Sequence, residues 1–490
     1  MEIWYDIVCN ITNTLGVLIL NYKKILATIM ALSICTAYVP QYSNLVTSYA
    51  DSSEAEEVIA NGTCGTNLSW KIVSNGTDDY TLNIQGTGEM NSYTEDETPW
   101  YSQRYEISSV TLPDGLTSIG EYSFCGLINA TTINVPDSVN TIGKGAFKDC
   151  YNLQSTTIPD GVTSIEDETY YYCEKLAEVS IPNSVTSIGE SAFFECSSLK
   201  SVNLSNYITT IGDYAFKRCY ELQSIDLPDG ITTIGNDAFT FCSSLSSMVF
   251  PNSVTSLGYC VLLGCSSLTE VVLPNSIEEI QGYSSEDGFF TDCTSLESIT
   301  IPDSVTDLGT ATFKGCTALK SIHLGSNLDT IEYHSFRDCT SLTDLYVNSN
   351  ITNCYSNTLE EISTPITLHV GENVTELYTY LNYMDTISNI ELNPSITNYT
   401  IVDDALYSKD GTSLEYCFNN SPNFTIASNT VDIKPYAFNS VLLSDIETIT
   451  IPDTVNIIQY GAFNNLSNVK EYIVQSGNSY YKSVDGAIYD

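Results

Sequence analysis

The chain has 490 residues, of which 42% are hydrophobic and only 16% are charged, so a large apolar core is available and uncharged side chains must supply much of the surface polarity. Asp and Glu total 60 against 17 Lys and Arg, which gives a formal net charge of −43. Because nucleic-acid binding depends on Lys and Arg that neutralise phosphates, this balance excludes nucleic acid as a general partner and disfavours anionic membrane surfaces.

Residues 1–50 have the pattern of a signal peptide region. Lys23 and Lys24 precede an apolar run over 25–39, and a small-residue site follows at 48–50. That order is typical of a secretory signal, whereas a transmembrane anchor needs about 20 apolar residues. A second apolar run at 11–20 suggests that translation starts near Val17 or Leu20. We expect a secreted or cell-surface protein without a membrane span in its mature chain.

Residues 51–106 are an acidic lead-in followed by a pattern that differs from the rest of the chain. Hydrophobic and polar residues alternate around Trp70 and again around Leu82, with glycines at the breaks. Alternation at period two is typical of short antiparallel strands. Because a stacked array needs its end covered, we expect this segment, with Trp70 and Trp100, to be an N-terminal β cap.

From 107 to 398 the sequence repeats one unit, whose clearest copy is CSSLKSVNLSNYITTIGDYAF at 196–216. With Cys196 as position zero, apolar residues fall at +3, +6, +8, +12, +15 and +20, and Cys219 restarts the count at +23. A fixed period of this length indicates a solenoid, in which each unit buries its apolar face against its neighbours. The prediction is a mostly β, right-handed solenoid of about 14 coils.

The residue types at each position predict the path of a coil. Val202 and Leu204 alternate as in a strand, and a Pro at +9, such as Pro228, ends the strand because it cannot donate to a ladder. Gly212, at +16, is expected to allow a bend. The aromatic residues at +20, such as Phe216, should stack as a column.

Cysteine recurs at what the sequence presents as one repeat position. A small buried thiol that packs as a hydrophobic residue is the favoured interpretation, with disulfide or metal ladders as alternatives. Val441 and Leu466 take the same position in later units, which supports packing. The ten cysteines are Cys125, Cys150, Cys173, Cys196, Cys219, Cys242, Cys265, Cys293, Cys316 and Cys339.

The array departs from its pattern in three places. The unit before Cys293 has five extra residues in IQGYSSEDGFF, which should form a loop. Residues 399–423 interrupt the array with a β-hairpin whose turn is Lys409-Asp410-Gly411. Repeats resume over 424–475. Residues 476–490 begin the hairpin element again and stop before its turn, either because the sequence is a fragment or because this piece is a cap.

The signature C-x2-L-x2-I-x-I-P-x2-V-x2-I-G-x3-F resembles the BspA-like leucine-rich repeats of bacterial and protozoan surface proteins, over roughly residues 62–490. The resemblance implies a curved, β-rich leucine-rich-repeat solenoid that binds host or neighbouring-cell proteins and supports adhesion. It implies no catalysis.

The sequence offers no chemistry of its own beyond this. The three histidines, His323, His334 and His369, show no Cys, Asp or Glu at ligand or triad spacing, and no phosphate loop or zinc-type Cys pair occurs. We therefore expect no catalytic, cofactor-binding or metal-binding residues.

Binding is expected on the outward residues at +5 and +7, because stacked strands lay them into a continuous strip of about 65 Å. We expect a monomer that binds extracellular or cell-surface proteins in adhesion, and the alternative is a passive structural or spacer protein. The expected strip consists of Glu178, Ser180, Ser201, Asn203, Ser224, Asp226, Glu270, Val272, Ser321, His323, Asp344 and Tyr346.

Overall fold

The computed structural model describes residues 57–355, 358–359, 361–377, 381 and 384–490. The predicted signal region at 1–50 and the start of the acidic lead-in lie outside the described residues. The described part is nearly all β and forms a solenoid of about 17 turns, more than the about 14 coils counted from the signature. Among these residues no helix has the length and apolar character needed to cross a membrane.

The N-terminal cap is the predicted set of short strands. The first three strands pair antiparallel in order, and the third pairs parallel with the first strand of the array, Leu82 opposite Val110. Trp100 is fully buried, meets Trp70 edge to face at 5.8 Å and stacks on Phe124 at 6.1 Å. The cap therefore covers the first coil with aromatic rings. Its elements are β1 (Val58–Gly65), β2 (Leu68–Gly76), β3 (Asp79–Gly86), β4 (Gly88–Glu89) and a 3-10 helix (Tyr101–Gln103).

Each coil of the array contributes one strand to each of two parallel sheets. The odd-numbered strands and β28 form the first sheet, and the even-numbered strands form the second. The strands are β5 (Ile107–Thr111), β6 (Leu116–Ile119), β7 (Thr132–Ile133), β8 (Thr141–Ile142), β9 (Ser155–Thr156), β10 (Ser164–Ile165), β11 (Glu178–Ser180), β12 (Ser187–Ile188), β13 (Ser201–Asn203), β14 (Thr210–Ile211), β15 (Ser224–Ile225), β16 (Thr233–Ile234), β17 (Ser247–Val249), β18 (Ser256–Leu257), β19 (Glu270–Val272), β20 (Glu279–Ile280), β21 (Ser298–Thr300), β22 (Asp307–Leu308), β23 (Ser321–His323), β24 (Thr330–Ile331), β25 (Asp344–Val347), β26 (Asn353–Cys354), β27 (Ile366–Val370) and β28 (Ile387–Leu392).

The predicted aromatic column is present in the core. Phe193 and Phe216 stack with ring centroids 5.2 Å apart, and Phe216 and Phe239 follow at 5.5 Å with nearly parallel planes. Leu262 takes the next position and is fully buried, so the column is interrupted there before it resumes at Phe290. Rings at this spacing bury a large apolar area in every coil, which makes the column a main source of stability.

The repeated glycine has a role different from the predicted bend. Gly212 lies outside the left-handed region, but a Cβ atom there would approach the backbone nitrogen of Glu190 to 2.7 Å. Glycine is needed because adjacent coils come into close backbone contact at this point. The turn itself uses two left-handed residues per coil, for example Tyr214 (φ 58°) and Arg218 (φ 63°).

The cysteine position holds nine of the ten predicted residues. Cys125 is not one of them, because Leu127 is the fully buried residue three positions after Phe124, as Cys150 is after Phe147. Val441 was also placed wrongly. Its side chain is 49% exposed, and a two-residue displacement puts the buried Leu443 in the slot instead. Leu466 packs against the core as predicted.

The extra residues before Cys293 form the predicted loop. Tyr283 donates its backbone N–H to the carbonyl oxygen of Asp287 at 2.7 Å, and the Tyr283 side chain is 77% exposed.

The predicted hairpin is a three-stranded element with two turns. Asp403 and Asp404, both left-handed, form a first turn that the sequence reading missed, and Lys409-Asp410-Gly411 forms the second. The third strand then pairs parallel with the next repeat, Leu414 opposite Ile433, so the element is part of the second sheet. The strands are β29 (Tyr399–Val402), β30 (Ala405–Ser408), β31 (Ser413–Cys417), β32 (Asn423–Thr425), β33 (Asp432–Ile433), β34 (Thr448–Ile451), β35 (Ile457–Ile458) and β36 (Glu471–Val474).

The last two strands, β37 (Lys482–Val484) and β38 (Ala487–Tyr489), reproduce the first hairpin of that element. Their turn at Asp485-Gly486 is complete, so the reading that the element stops before its turn applies only to the second turn. The hydroxyl oxygen of Tyr399 accepts a hydrogen bond from the Leu377 N–H, and that of Tyr481 accepts one from the Ile458 N–H, both at 3.1 Å.

Buried side chains form two clusters. The first runs from Cys64 to Phe418, and the second runs from Ala405 to Ala462. The three-stranded element contributes to both, with Leu406 in the first cluster and Leu414 in the second.

Candidate protein-binding surface

The predicted strip lies on the outer side of the first sheet. Along each strand a buried residue separates the +5 and +7 residues, as Val179 separates Glu178 from Ser180. Glu178 stands opposite Ser201 and Ser201 opposite Ser224, so the outward residues of successive coils are aligned in register. All the predicted strip residues are exposed or half-buried, although Asp226 lies just beyond the end of β15.

The strip continues through three ladders of strands. The first joins β11, β13 and β15, the second joins β17 and β19, and the third joins β21, β23, β25, β27 and β28. Consecutive ladders contact each other, β15 with β17 and β19 with β21. The structure therefore brings the predicted residues, from Glu178 to Tyr346, onto one surface.

Three aromatic rings stack along this strip. His323 and Tyr346 stand opposite each other on adjacent strands, with ring centroids 4.0 Å apart and an interplanar angle of 11°. Tyr346 and His369 follow at 4.1 Å and 6°. The rings stand on edge from the sheet, so their polar atoms point outward while their faces cover one another. We call this set of three residues the ring stack.

Carboxylates on both sides hold the last ring. Nε2 of His369 lies 2.8 Å from Asp344 Oδ1, and Nδ1 lies 3.0 Å from Glu391 Oε2. Both nitrogens can donate at once only in the imidazolium form. The hydrogen bond from His369 also lowers the pKa of the Asp344 carboxyl. The sequence reading that His369 has no carboxylate partners is wrong, because these partners come from neighbouring coils.

His369 is the residue of this surface that the sequence prediction omitted. A signal for it was present, since Ile362 restarts the repeat count and places Thr367 at +5 and His369 at +7. The degenerate text of that unit hides the pattern. Thr300, which stands opposite His323 on the other side, was missed for a different reason, because nothing marks a lone Thr as special.

A cleft lies beside the open end of the ring stack. It has a volume of about 520 Å³, and its walls include Glu270, Val272, Thr300, Ser321 and His323. Val272 is 46% exposed here and Val249, its partner on the preceding strand, is 54% exposed. This part of the strip therefore combines apolar area with a carboxylate, which is the composition of a protein-recognition surface.

The cysteine slots do not form a second site. Each of the nine slot thiols lies 3.1 to 3.3 Å from a backbone carbonyl oxygen of the preceding coil and donates to it, as Cys196 does to Tyr170. All fourteen cysteines in the described part of the chain are free and buried. Within those same residues, no group of three or more His, Cys, Asp or Glu side chains could hold a metal ion.

Comparison with known proteins identifies the family. The chain matches the profile described as "BspA type Leucine rich repeat region (6 copies)" over residues 99–203, 163–288, 284–411 and 412–484. These matches span most of the chain, which therefore belongs to the BspA-type leucine-rich repeat family, and the resemblance inferred from the repeat signature is confirmed. A search of curated proteins gives no match.

Several solved structures are similar to this chain. A leucine-rich repeat protein from Bacteroides ovatus is 23% identical, with 83% of this chain and 92% of that one covered and a TM-score of 0.48. One from Eubacterium ventriosum is 22% identical, with coverages of 88% and 100% and a TM-score of 0.43. A leucine-rich cell surface protein from Faecalibacterium prausnitzii is 23% identical, with coverages of 60% and 95% and a TM-score of 0.34.

Proposed function

We propose that this chain is an exported, cell-surface solenoid that binds host or neighbouring-cell proteins through the strip and so acts in adhesion. The observation that carries the proposal is the register of the outward residues. Glu178, Ser201 and Ser224 align across three coils while the residues between them are buried. Packing fixes the buried positions and leaves the outward ones free to vary, so the strip can carry a specific surface.

The charge of the chain supports a protein partner with a basic surface. The net charge of −43 attracts cationic patches and raises the rate of encounter with them. The basic, apolar and small-residue order at 1–50 supports export. We propose a monomer without catalytic activity or cofactor, since the strip needs neither a second chain nor a reaction to bind a protein.

The experiment measures binding of the purified chain to a panel of extracellular-matrix and cell-surface proteins. In the strip variant, Glu178, Asp226, Glu270 and Asp344 are replaced by Ser, the residue already found at +5 in Ser201 and Ser224. In the matched control, four exposed acids away from the strip, Asp160, Glu190, Asp229 and Asp453, are replaced by Ser.

We expect at least one panel protein to bind saturably to the unmodified chain. Its affinity should fall at least tenfold in the strip variant and by less than threefold in the control, because both lose the same charge and only one loses the surface. Absence of any binding, or equal losses in both variants, would favour the passive spacer function instead.

A further inference from the structure

The ring stack has one closed end and one open end. Tyr346 is covered on both faces, and Glu391 stands opposite His369 on the next strand. At the other end His323 stands opposite Thr300, whose short side chain cannot cover an imidazole face. Thr300 is exposed, and so is His323.

The space over Thr300 has the dimensions of one more ring. Strands of a sheet repeat at about 4.8 Å, and the stacked rings are 4.0 and 4.1 Å apart. The next ring position therefore lies above Thr300, bounded by the His323 face on one side and by Val272, one strand further, on the other. We call this space the Thr300 slot.

The groups around the Thr300 slot select the chemistry of its occupant. A flat group is required, because the slot is one ring thick. A cationic group is favoured, because Glu270 lies on the cleft wall and the whole chain is strongly acidic. The arginine side chain is both planar and positively charged, stacks on aromatic faces and binds carboxylates through two N–H groups. Lysine has the charge without the plane.

Resting on the proposed function, we infer that the protein partner inserts an arginine side chain into the Thr300 slot. There its guanidinium extends the ring stack over His323 and lies within reach of the Glu270 carboxylate. The binding strip would then recognise a partner segment centred on arginine, and the ring stack would hold His323 in the orientation that receives it.

The chain offers a direct spectroscopic test, because it has only three histidines. Imidazole proton and carbon resonances of the full chain are recorded while Gly-Arg-Gly is added, and then in a second titration with Gly-Lys-Gly. His323→Ala and His369→Ala assign the signals. His334 lies on a turn outside the strip and serves as the internal control.

We expect the His323 resonances to shift saturably with Gly-Arg-Gly, with at least a fivefold weaker response to Gly-Lys-Gly, while the His334 resonances stay in place. In Thr300→Phe the new ring fills the slot, so the shift with Gly-Arg-Gly should be lost. Thr300→Ser keeps the slot open and should retain it. Unchanged His334 and His369 resonances in Thr300→Phe verify its fold, and Thr300→Leu replaces it if they move.

Three results would overturn the inference: a His323 signal that does not respond, equal responses to the two peptides, or a response that survives in Thr300→Phe. Binding to a captured protein partner separates the two proposals. A partner that is lost in the strip variant but bound normally by Thr300→Phe would disprove the arginine slot and leave the proposed function standing. A slot that takes the peptide in a chain that binds no panel protein would do the reverse.

Discussion

The Sγ atom of Cys219 lies 3.2 Å from the carbonyl oxygen of Phe193, to which its thiol donates. The thiol thus satisfies a buried carbonyl of the preceding coil while its sulfur packs in the core. Burial raises the pKa of the Cys265 thiol to about 12 and raises the pKa of Cys219 well above its usual value. Neither group is a thiolate at neutral pH, so neither is ready to react.

We expect the nine slot thiols to resist alkylation in the folded protein. With iodoacetamide at pH 8, intact-mass analysis should show none of them modified over an hour. The same treatment in guanidinium chloride should modify all of them, because unfolding removes both the burial and the hydrogen bond. Rapid modification of Cys196 or Cys219 in the native chain, located by peptide mapping, would contradict the packing role.

Gly212 should not tolerate a side chain. In Gly212→Ala the new Cβ would meet the Glu190 backbone nitrogen at 2.7 Å, and backbone cannot move aside easily. We expect a loss of about 2 kcal/mol or more in the free energy of unfolding, measured by denaturant titration. Gly230→Ala is the matched control, since its Cβ would find only the Ile208 carbonyl oxygen at 4.0 Å and should change stability by about 0.5 kcal/mol or less. Equal losses in the two variants would show that coil contact is not the reason for the glycine.

Asp307 should make the chain less stable as the pH rises. Burial, followed by repulsion from Glu332 and Glu279, raises its pKa from 3.8 to about 6. The folded state therefore holds its proton more tightly than the unfolded state, and stability falls as pH increases between these two values. Asp307→Asn removes this penalty. After discounting for partial exposure, we expect a gain of about 1 kcal/mol at pH 7.5 that shrinks as the pH is lowered toward 5.

The exposed corner residue Asp229 is the control for that experiment. Asp229→Asn changes the charge equally and should leave the pH dependence of the denaturation midpoint unaltered. A gain from Asp307→Asn that is the same at pH 5 and pH 7.5 would show that ionisation of Asp307 is not its cause.

His323 should remain neutral at lower pH than a free histidine. Desolvation, followed by the charge of His369, lowers its pKa below the usual 6.5. Between the lowered value and 6.5 the unfolded state binds the proton better, so stability from this group rises with pH across that interval. A pH titration of the imidazole resonances should give a midpoint below 6.5 for His323. In His369→Ala the midpoint should move upward, and a midpoint at or above 6.5 in the unmodified chain would contradict the stack environment.

The repeat sequence was sufficient to predict the solenoid because its constraints are local and periodic. Position +20 is aromatic in most units, and the ring of Phe216 can contact only its counterparts one coil away. The same logic placed Glu178, Ser201 and Ser224 on one surface, since a constant period of 23 residues aligns equivalent positions in parallel strands.

What the sequence did not reveal depends on local shifts of register and on contacts between coils. Cys125 looked like a slot residue because its residue type matched, yet the count from Phe124 places Leu127 there. The aspartate pair at 403–404 gave no glycine signal for a turn, although both residues adopt left-handed conformations. The carboxylates around His369 come from strands 25 residues before it and 22 after it, so no local spacing could announce them.

The alignment of the coils also determines how the chain can fold. The Thr209 N–H donates to Thr186 and the Thr232 N–H donates to Thr209, so each coil is bound mainly to residues one period away in the sequence. No pairing between distant segments has to form first, and loop closure therefore costs the same small entropy at each step. Folding can begin at any well-packed pair of coils and spread outward, and damage to one coil should first unfold the coils next to it.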